Sequence, residues 1–415
     1  MALRLGCFDL TLQQVLRTLC SNPDGLFWAG DTAQTLSIGS SFRFNDLKAF
    51  LHRVEERRLT ANPAATPASE PPIFFHLAVN YRSHAGIIQC ARSVIDVITS
   101  FWPDSVDSLP EESAIVEGRP PVFITIRNGV QHGLDGIFGP EFGRVSLGAR
   151  QAVLVRDAEA KERFARDVGR IGLVFTIAEA KGMEFDDVIL FDFFSDSDVS
   201  AQNWRVVLNE LPDKDKQAAA SPAPTFNPIR HAVLCAELKA LYVALTRARK
   251  NLWIIDHSDC GEPMRVKMRL CLCIIMELIL FQMLWSSRGR VNTLPHASTL
   301  PNIANDSAPE EWRDQAYIMF KHGCFFQAAY CFERGGEPHR AAAATAYHMQ
   351  SVADGGGSGS VSEQTHAAVG EAFEAIALPG NLDFNLQERT AYLKAAGHSL
   401  RLGDTELSAR AALVR

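Results

Sequence analysis

No Cys-x-x-Cys pair occurs in this chain, although nine cysteines are present. The nearest spacing, Cys271 and Cys273, is too isolated to build a four-ligand zinc site, so no metal centre is expected. Reduced thiols in an intracellular protein, nuclear or cytoplasmic, are the natural reading. Positive charge is also short. The chain has 41 Lys and Arg against 48 Asp and Glu, a formal charge of -7. That argues against an all-purpose nucleic-acid coat and leaves room for a local basic groove. The first twenty residues lack the long apolar core and small-residue cleavage site of a secretory signal. They read instead as an amphipathic helix with Leu10, Leu12, Val15, Leu16 and Leu19 on one side. No apolar run reaches the ~20 uncharged residues that a membrane span needs. The best, Leu270 to Trp285, carries Glu277 in its middle. A helix lying against the α/β part, or left loosely exposed, is expected there, and no membrane partner.

The remainder is ordinary for a globular chain: 415 residues, 47% hydrophobic, 21% charged, enough for two or three domains. GLFWAGD (Gly25 to Asp31) reads as a buried strand ending in a loop, followed by a helix with Asn45 as a candidate cap. A linker rich in Pro, Ala and Thr comes next. IFFHLAVNYRSH then reads as strand and turn before a long helix. PPVFITI reads as a strand, RQAVLVRDAEAKERFARDVGRIG as a strand followed by a helix, and LVFTIAEAKGMEFDDVILFDFF as strand, turn, strand, while a helix from Ala232 feeds the apolar run Leu252 to Ile255. Strands alternating with helices imply a mostly parallel sheet with covered faces. From Pro309 the chain turns Ala-rich and helical, with Ala316, Gly323, Phe325, Ala328 and Phe332 at the spacing of a helical repeat.

Functional residues of an open α/β sheet are expected at loops beyond strand C-termini. Four loops carry suggestive ones. They are Asp31 and Gln34; Tyr81 and Arg82; Thr176, Lys181, Gly182 and Glu184; and Thr246 with Arg247. Each reads blandly alone. Asp31 suits a turn or cap, Arg82 a surface ion pair, Gly182 a turn, and Arg247 a cation at a helix C-terminus. Together, two arginines, a glutamine and a glutamate suggest a polyphosphate-facing surface, since arginine's forked donors match phosphate oxygens.

In this order the blocks GDTAQ, NYRS, TIAEAKGMEF and LYVALTRARKNLWI resemble the third to sixth motifs of UvrD/Rep-type superfamily 1 helicases, of the kind found in TPR and ankyrin repeat-containing proteins. The resemblance implies a RecA-like parallel sheet with helices on both faces, followed by an all-α TPR-like region. It implies a remnant of the first RecA-like lobe over 1–60, a second lobe over 73–257, a linker with an apolar insertion over 258–308, and the helical region over 309–415. It also implies roles. Gln34, Arg82 and Arg247 would act on the γ-phosphate of ATP. Tyr81 would stack on adenine, Gly182 and Glu184 would approach the ribose, and Thr176 would touch single-stranded DNA or RNA. A protein partner for the helical tail is a further expectation.

Two departures qualify this. Ala178 stands where the fifth motif usually has His, which removes one nucleic-acid contact. No G-x-x-x-x-G-K-[ST] occurs; Gly143 to Arg150 has the glycine spacing but Ala149 in place of Lys. No acidic pair of the metal-binding kind precedes Asp31 either. The triphosphate and Mg²⁺ are held by such motifs. The expectation is a chain that starts inside the first lobe and does not bind ATP and Mg²⁺ tightly alone. The alternative is a catalytically inactive scaffold that binds proteins through helical repeats.

Overall fold

The computed structural model describes residues 2–5, 27–36, 43–61, 73, 75–107, 110–126, 147–169, 171–212, 223–270, 277–280, 306–355, 368–369 and 372. They fall into two compact units, one built from residues 1–145 and 151–299, the other from 146–150 and 300–415.

The first unit holds a parallel sheet. Its strands are β5 (Val122–Ile126), β6 (Gln151–Val155), β7 (Leu173–Thr176), β8 (Phe185–Phe191), β9 (Ala248–Asp256) and β10 (Glu277–Leu280). They lie in the order β10-β5-β9-β8-β6-β7, all parallel. Every residue of β6 and β8 is buried, the continuous pattern of strands covered on both faces. Helix α3 (Ala158–Asp167) carries the β6 to β7 crossover, and α5 (Ala232–Leu245) the β8 to β9 crossover in the opposite direction. Right-handed crossovers running in opposite directions place their helices on opposite faces. Asp157 caps α3 by accepting from the Ala160 N–H at 2.9 Å, and Phe164 meets Phe191 edge-on at 5.0 Å. Helix α2 (Ala85–Phe101) buries nine residues and packs on α5 and β9.

Register is pinned by a polar row across three strands, buried at Gln151 and Asp187 and exposed at Asn251. Asp187 in β8 accepts from Gln151 Nε2 of β6 at 2.9 Å and from Asn251 Nδ2 of β9 at 2.7 Å. Sliding either neighbour would strand a buried carboxylate, so the row selects one alignment. At the other end of β9, fully buried Asp256 accepts from the Phe194, Ser195 and Ser258 N–H groups and from both serine hydroxyls.

Five expectations need correction. The stretch IFFHLAV is not a full strand. Only β3 (Val79–Asn80) pairs, with β4 (Ser113–Ala114), and the contact ends at the Ala78 carbonyl, which accepts from the Ser113 N–H at 2.8 Å. Asn45 does not cap a helix: α1 (Phe44–Ala61) already contains it. In the apolar run, Leu270 ends a helix but Glu277–Leu280 form the edge strand β10, since β5 offers a free edge that a parallel strand can fill. Helix α6 (Glu262–Leu270) packs into this unit, with Met264 and Met268 buried, rather than forming a linker beyond residue 257. The rest of the run and the amphipathic stretch near Leu10 lie outside the described residues. A short helix α4 (Ala201–Trp204) and the parallel pair β1 (Ala2–Leu5) with β2 (Phe27–Gly30) belong to the same unit, and β2 is mostly exposed, not the buried strand expected, because its described partner is β1 and not the main sheet.

The second unit contains α7 (Pro309–Lys321), α8 (Phe325–Arg334) and α9 (Pro338–Gly355). Gly323 and Gly336 sit at φ +77° and +76°, the left-handed turn that stops a helix and that glycine adopts at no steric cost. Ala316, Ala328 and Ala344 are fully buried, letting the helices approach closely, and Trp312 meets Tyr330 edge-on at 5.7 Å. The α/β part is thus followed by a helical part. No helix among the described residues is long and apolar enough to cross a membrane.

An acidic crevice marks the C-terminal edge of the sheet, lined by Asp157, Arg163, Asp192, Asp196 and His257 among others. Burial, with Asp192 nearby, pushes the Asp196 carboxyl up to about 6 despite its pairing with Arg163. A carboxyl raised in the fold contributes stability below its unfolded value near 4 and loses it as pH rises through 6. Asp196→Asn should therefore stabilise the protein at pH 8, by at most about 3 kcal/mol. The gain should shrink below pH 6 and vanish near pH 4. Urea unfolding at several pH values checks this; a gain independent of pH would refute it.

Candidate functional site

Arg247 lies between the end of α5 and the start of β9 and is 1% exposed. A helix end leaves carbonyls without intrahelical partners, and a cation there suits the dipole. Arg247 uses both facts: its Nε donates to the Val243 carbonyl at 2.9 Å. Its Nη1 donates to the Met183 carbonyl at 3.0 Å, and its Nη2 to Gln34 Oε1 at 3.2 Å and to Thr246 Oγ1 at 3.1 Å. Thr246 in turn donates to the Tyr242 carbonyl at 2.9 Å. Burial holds the neighbouring Tyr242 phenol well above its ordinary range, so it stays neutral.

Gln34 arrives from the other end of the chain. It closes a single 3-10 turn, Thr32–Gln34, capped by Asp31, which accepts from the Ala33 N–H at 2.9 Å. The second Asp31 oxygen accepts from Gln34 Nε2 at 2.7 Å. That bond turns the amide so that its oxygen faces Arg247. Asp31 is thus a cap, as its bland reading says, and an orienting group as well.

Arg82 and Glu184 form an ion pair, and Arg249 lies 3.8 Å from Glu184 on its other side. Asn80 shapes the turn before α2, its side-chain oxygen accepting from the Arg82 and Ser83 N–H groups at 2.7 and 2.9 Å. Ser83 Oγ donates to the Ala248 carbonyl at 2.6 Å, which ties this turn to the start of β9. Tyr81, beside Arg82, is 82% exposed. Gly182 takes φ +91°, a left-handed conformation that a side chain would strain, and this turn delivers Glu184 to β8.

Gln34, Arg82, Glu184 and Arg247 therefore come together, but not beyond the strand C-termini. Glu184 and Arg247 directly precede β8 and β9, at the N-terminal edge of the sheet. The correction has a simple cause: the loops carrying these residues end at the following strand rather than begin at the preceding one. Thr176 is the exception. It ends β7 at the C-terminal edge, level with Val155, roughly 20 Å along the strand direction from Glu184. There its hydroxyl accepts from the Glu179 N–H at 3.1 Å, and Glu179 Oε2 accepts from the Thr176 N–H at 2.8 Å.

A set of residues that the sequence reading missed seats the Gln34 turn. Asp107 donates its N–H to Thr32 Oγ1 at 2.9 Å and accepts from the Phe44 N–H at 3.1 Å. Arg43 donates to Asp104 at 3.2 Å and to the Val106 carbonyl at 3.4 Å. Thr32 and Ala33 are buried as a result. PDSVD reads locally as a turn, and only the fold reveals that it holds a segment some seventy residues upstream.

Among the described residues no group of three or more His, Cys, Asp or Glu is arranged to hold a metal ion. Residues 150–259 match the family model of the UvrD-like helicase C-terminal domain. The chain is 30% identical over 348 residues to human TPR and ankyrin repeat-containing protein 1. That match covers 78% of this chain and 11% of the human protein, so the chain spans about a ninth of that relative's length. The stretch that matches the UvrD-like helicase C-terminal domain carries β6 to β9 and Gly182, Glu184 and Arg247 of the cluster.

Proposed function

We propose that Gln34, Tyr81, Arg82, Gly182, Glu184 and Arg247 form one wall of an ATP site in a helicase-type motor acting on single-stranded DNA or RNA. The observation that carries this reading is the hydrogen bond between Gln34 and Arg247, 213 positions apart in sequence. It brings together the two blocks for which the resemblance implies contact with the γ-phosphate. Tyr81 offers an exposed ring to a base, and Arg82 beside it is the arginine open to solvent. Arg247 is turned inward, with its donors on protein acceptors. The residues present fit one side of a nucleotide. A bound triphosphate would supply the hydrolysable bond, and a phosphate loop with Mg²⁺ carboxylates would have to come from elsewhere.

The 415-residue chain is accordingly expected to show no ATP turnover above background, with or without single-stranded DNA. A fluorescent ATP analogue should bind weakly, and more weakly still after Tyr81→Ala or Arg82→Ala. Mg²⁺-dependent turnover abolished by Arg82→Ala, or analogue binding indifferent to both substitutions, would sink the reading. A second reading is a helicase-like scaffold that contacts protein partners through α7 to α9. The burial of Arg247 favours it, and analogue binding that never appears would select it.

A further inference from the structure

The turn that carries Tyr81 and Arg82 is fastened to β9 on either side of Arg249. Ser83 Oγ donates to the Ala248 carbonyl at 2.6 Å, and His84 Nε2 lies 2.7 Å from the Lys250 carbonyl, which can only accept. Gly118 lies so close to the His84 ring that a Cβ there would stand 2.1 Å from it. Arg82 and Arg249 are therefore carried on one backbone frame, with Glu184 between them. Arg82 Nε donates to one oxygen of that carboxylate, Oε2. Arg249 faces the other, Oε1, at 3.8 Å, and Asp186 at 3.9 Å, beyond hydrogen-bonding reach of either. Asp186 is already held by Lys250 at 2.8 Å. Arg249 is thus a cation beside a carboxylate whose hydrogen bond goes to another arginine.

We propose, on the reading of the cluster as one wall of an ATP site, that Arg249 is a positioning residue that takes over Glu184 when Arg82 turns to a phosphate. Nucleotide entry then exchanges one ion pair for another. Three features carry this. The Arg82, Glu184 and Arg249 side chains are 40%, 43% and 41% exposed, so a pair between any two of them is weak and readily exchanged. A carboxylate abandoned by Arg82 would face the incoming phosphate as a like charge, and Arg249 stands where it can neutralise that carboxylate. The Arg82 turn need not move, because Ser83 and His84 tie it to the strand that carries Arg249. Only side chains reorient.

A double-mutant cycle on the full chain tests this, read with an ATP analogue that carries its fluorophore on the base. Arg249→Met should weaken binding about fivefold, the weight of a partly exposed ion pair, and Arg249→Lys should recover part of the loss. In a Glu184→Gln background, where no carboxylate needs a new partner, Arg249→Met should change nothing. Arg249 and Glu184 are both partly exposed, so the variants should keep the wild-type circular dichroism spectrum. An equal loss in both backgrounds would put Arg249 on the phosphate itself, and no loss in either would leave it outside the site; each overturns the proposal. Analogue binding absent from the wild type would sink the ATP reading and the proposal with it. Binding that depends on Tyr81 and Arg82, with no coupling between Arg249 and Glu184, would sink the proposal alone.

Discussion

Arg247→Ala is expected to lower the free energy of unfolding by about 2–5 kcal/mol, the scale for truncating a large buried side chain and leaving buried acceptors without a donor. The loss has three parts. The Val243 and Met183 carbonyls and Gln34 Oε1 lose a donor inside the protein. The guanidinium's volume becomes a cavity beneath the start of β9. The Gln34 turn loses its hold on the helical side. Arg247→Lys should recover little, because one ammonium group cannot reach three acceptors in a planar fork. Urea unfolding followed by far-UV circular dichroism measures this. A loss below about 1 kcal/mol would show that the acceptors find water, and that Arg247 is a surface group in solution. The same substitution is therefore a poor probe of phosphate chemistry: lost activity would report lost packing as readily as a lost cation. Arg82, at the edge of the cluster, is the cleaner probe.

Asp256→Ala should cost a similar amount, about 3–5 kcal/mol, by leaving three N–H groups and two hydroxyls without their shared acceptor. Asp256→Asn should fall between, since its NH₂ must face donors on one side. Both are expected to lower the unfolding midpoint in urea without changing the slope. An asparagine variant as stable as the wild type would show that the carboxylate's charge contributes nothing there.

Much of the sheet was legible beforehand because local pattern and tertiary role coincide in it. QAVLV, LVFT and FDDVILF are short apolar runs with turns between them, and buried parallel strands have no other way to look. Illegible parts are those decided by a distant partner. Whether Leu270 to Trp285 holds a helix or a strand depends on the free edge of β5, about 150 residues earlier, and apolarity alone serves either. IFFHLAV has the composition of a strand, but a strand also needs a neighbour. At the site, the residue types in the four blocks were readable from their spacing, and their meeting at strand starts was not. The inward turn of Arg247 depends on the Met183 carbonyl, a backbone atom that no side-chain pattern announces. The Asp107 bracket is of the same kind.

The position of β5 in the sheet has a consequence for synthesis on the ribosome. Its neighbours on either side, β9 and β10, are both encoded later. The Val122–Ile126 strand leaves the ribosome roughly 120 residues ahead of β9, which at 5–20 residues per second is a wait of about 6–24 s. During that interval β6, β7 and β8 can already assemble from consecutive sequence, while an apolar strand outside them has nothing to join. Vectorial translation thus splits the sheet into an early half and a late half, and the junction between β8 and β9 is where the nascent chain must hold open a place. Slow codons or chaperone binding downstream of Ile126 would act on that half-built edge, not on the finished protein.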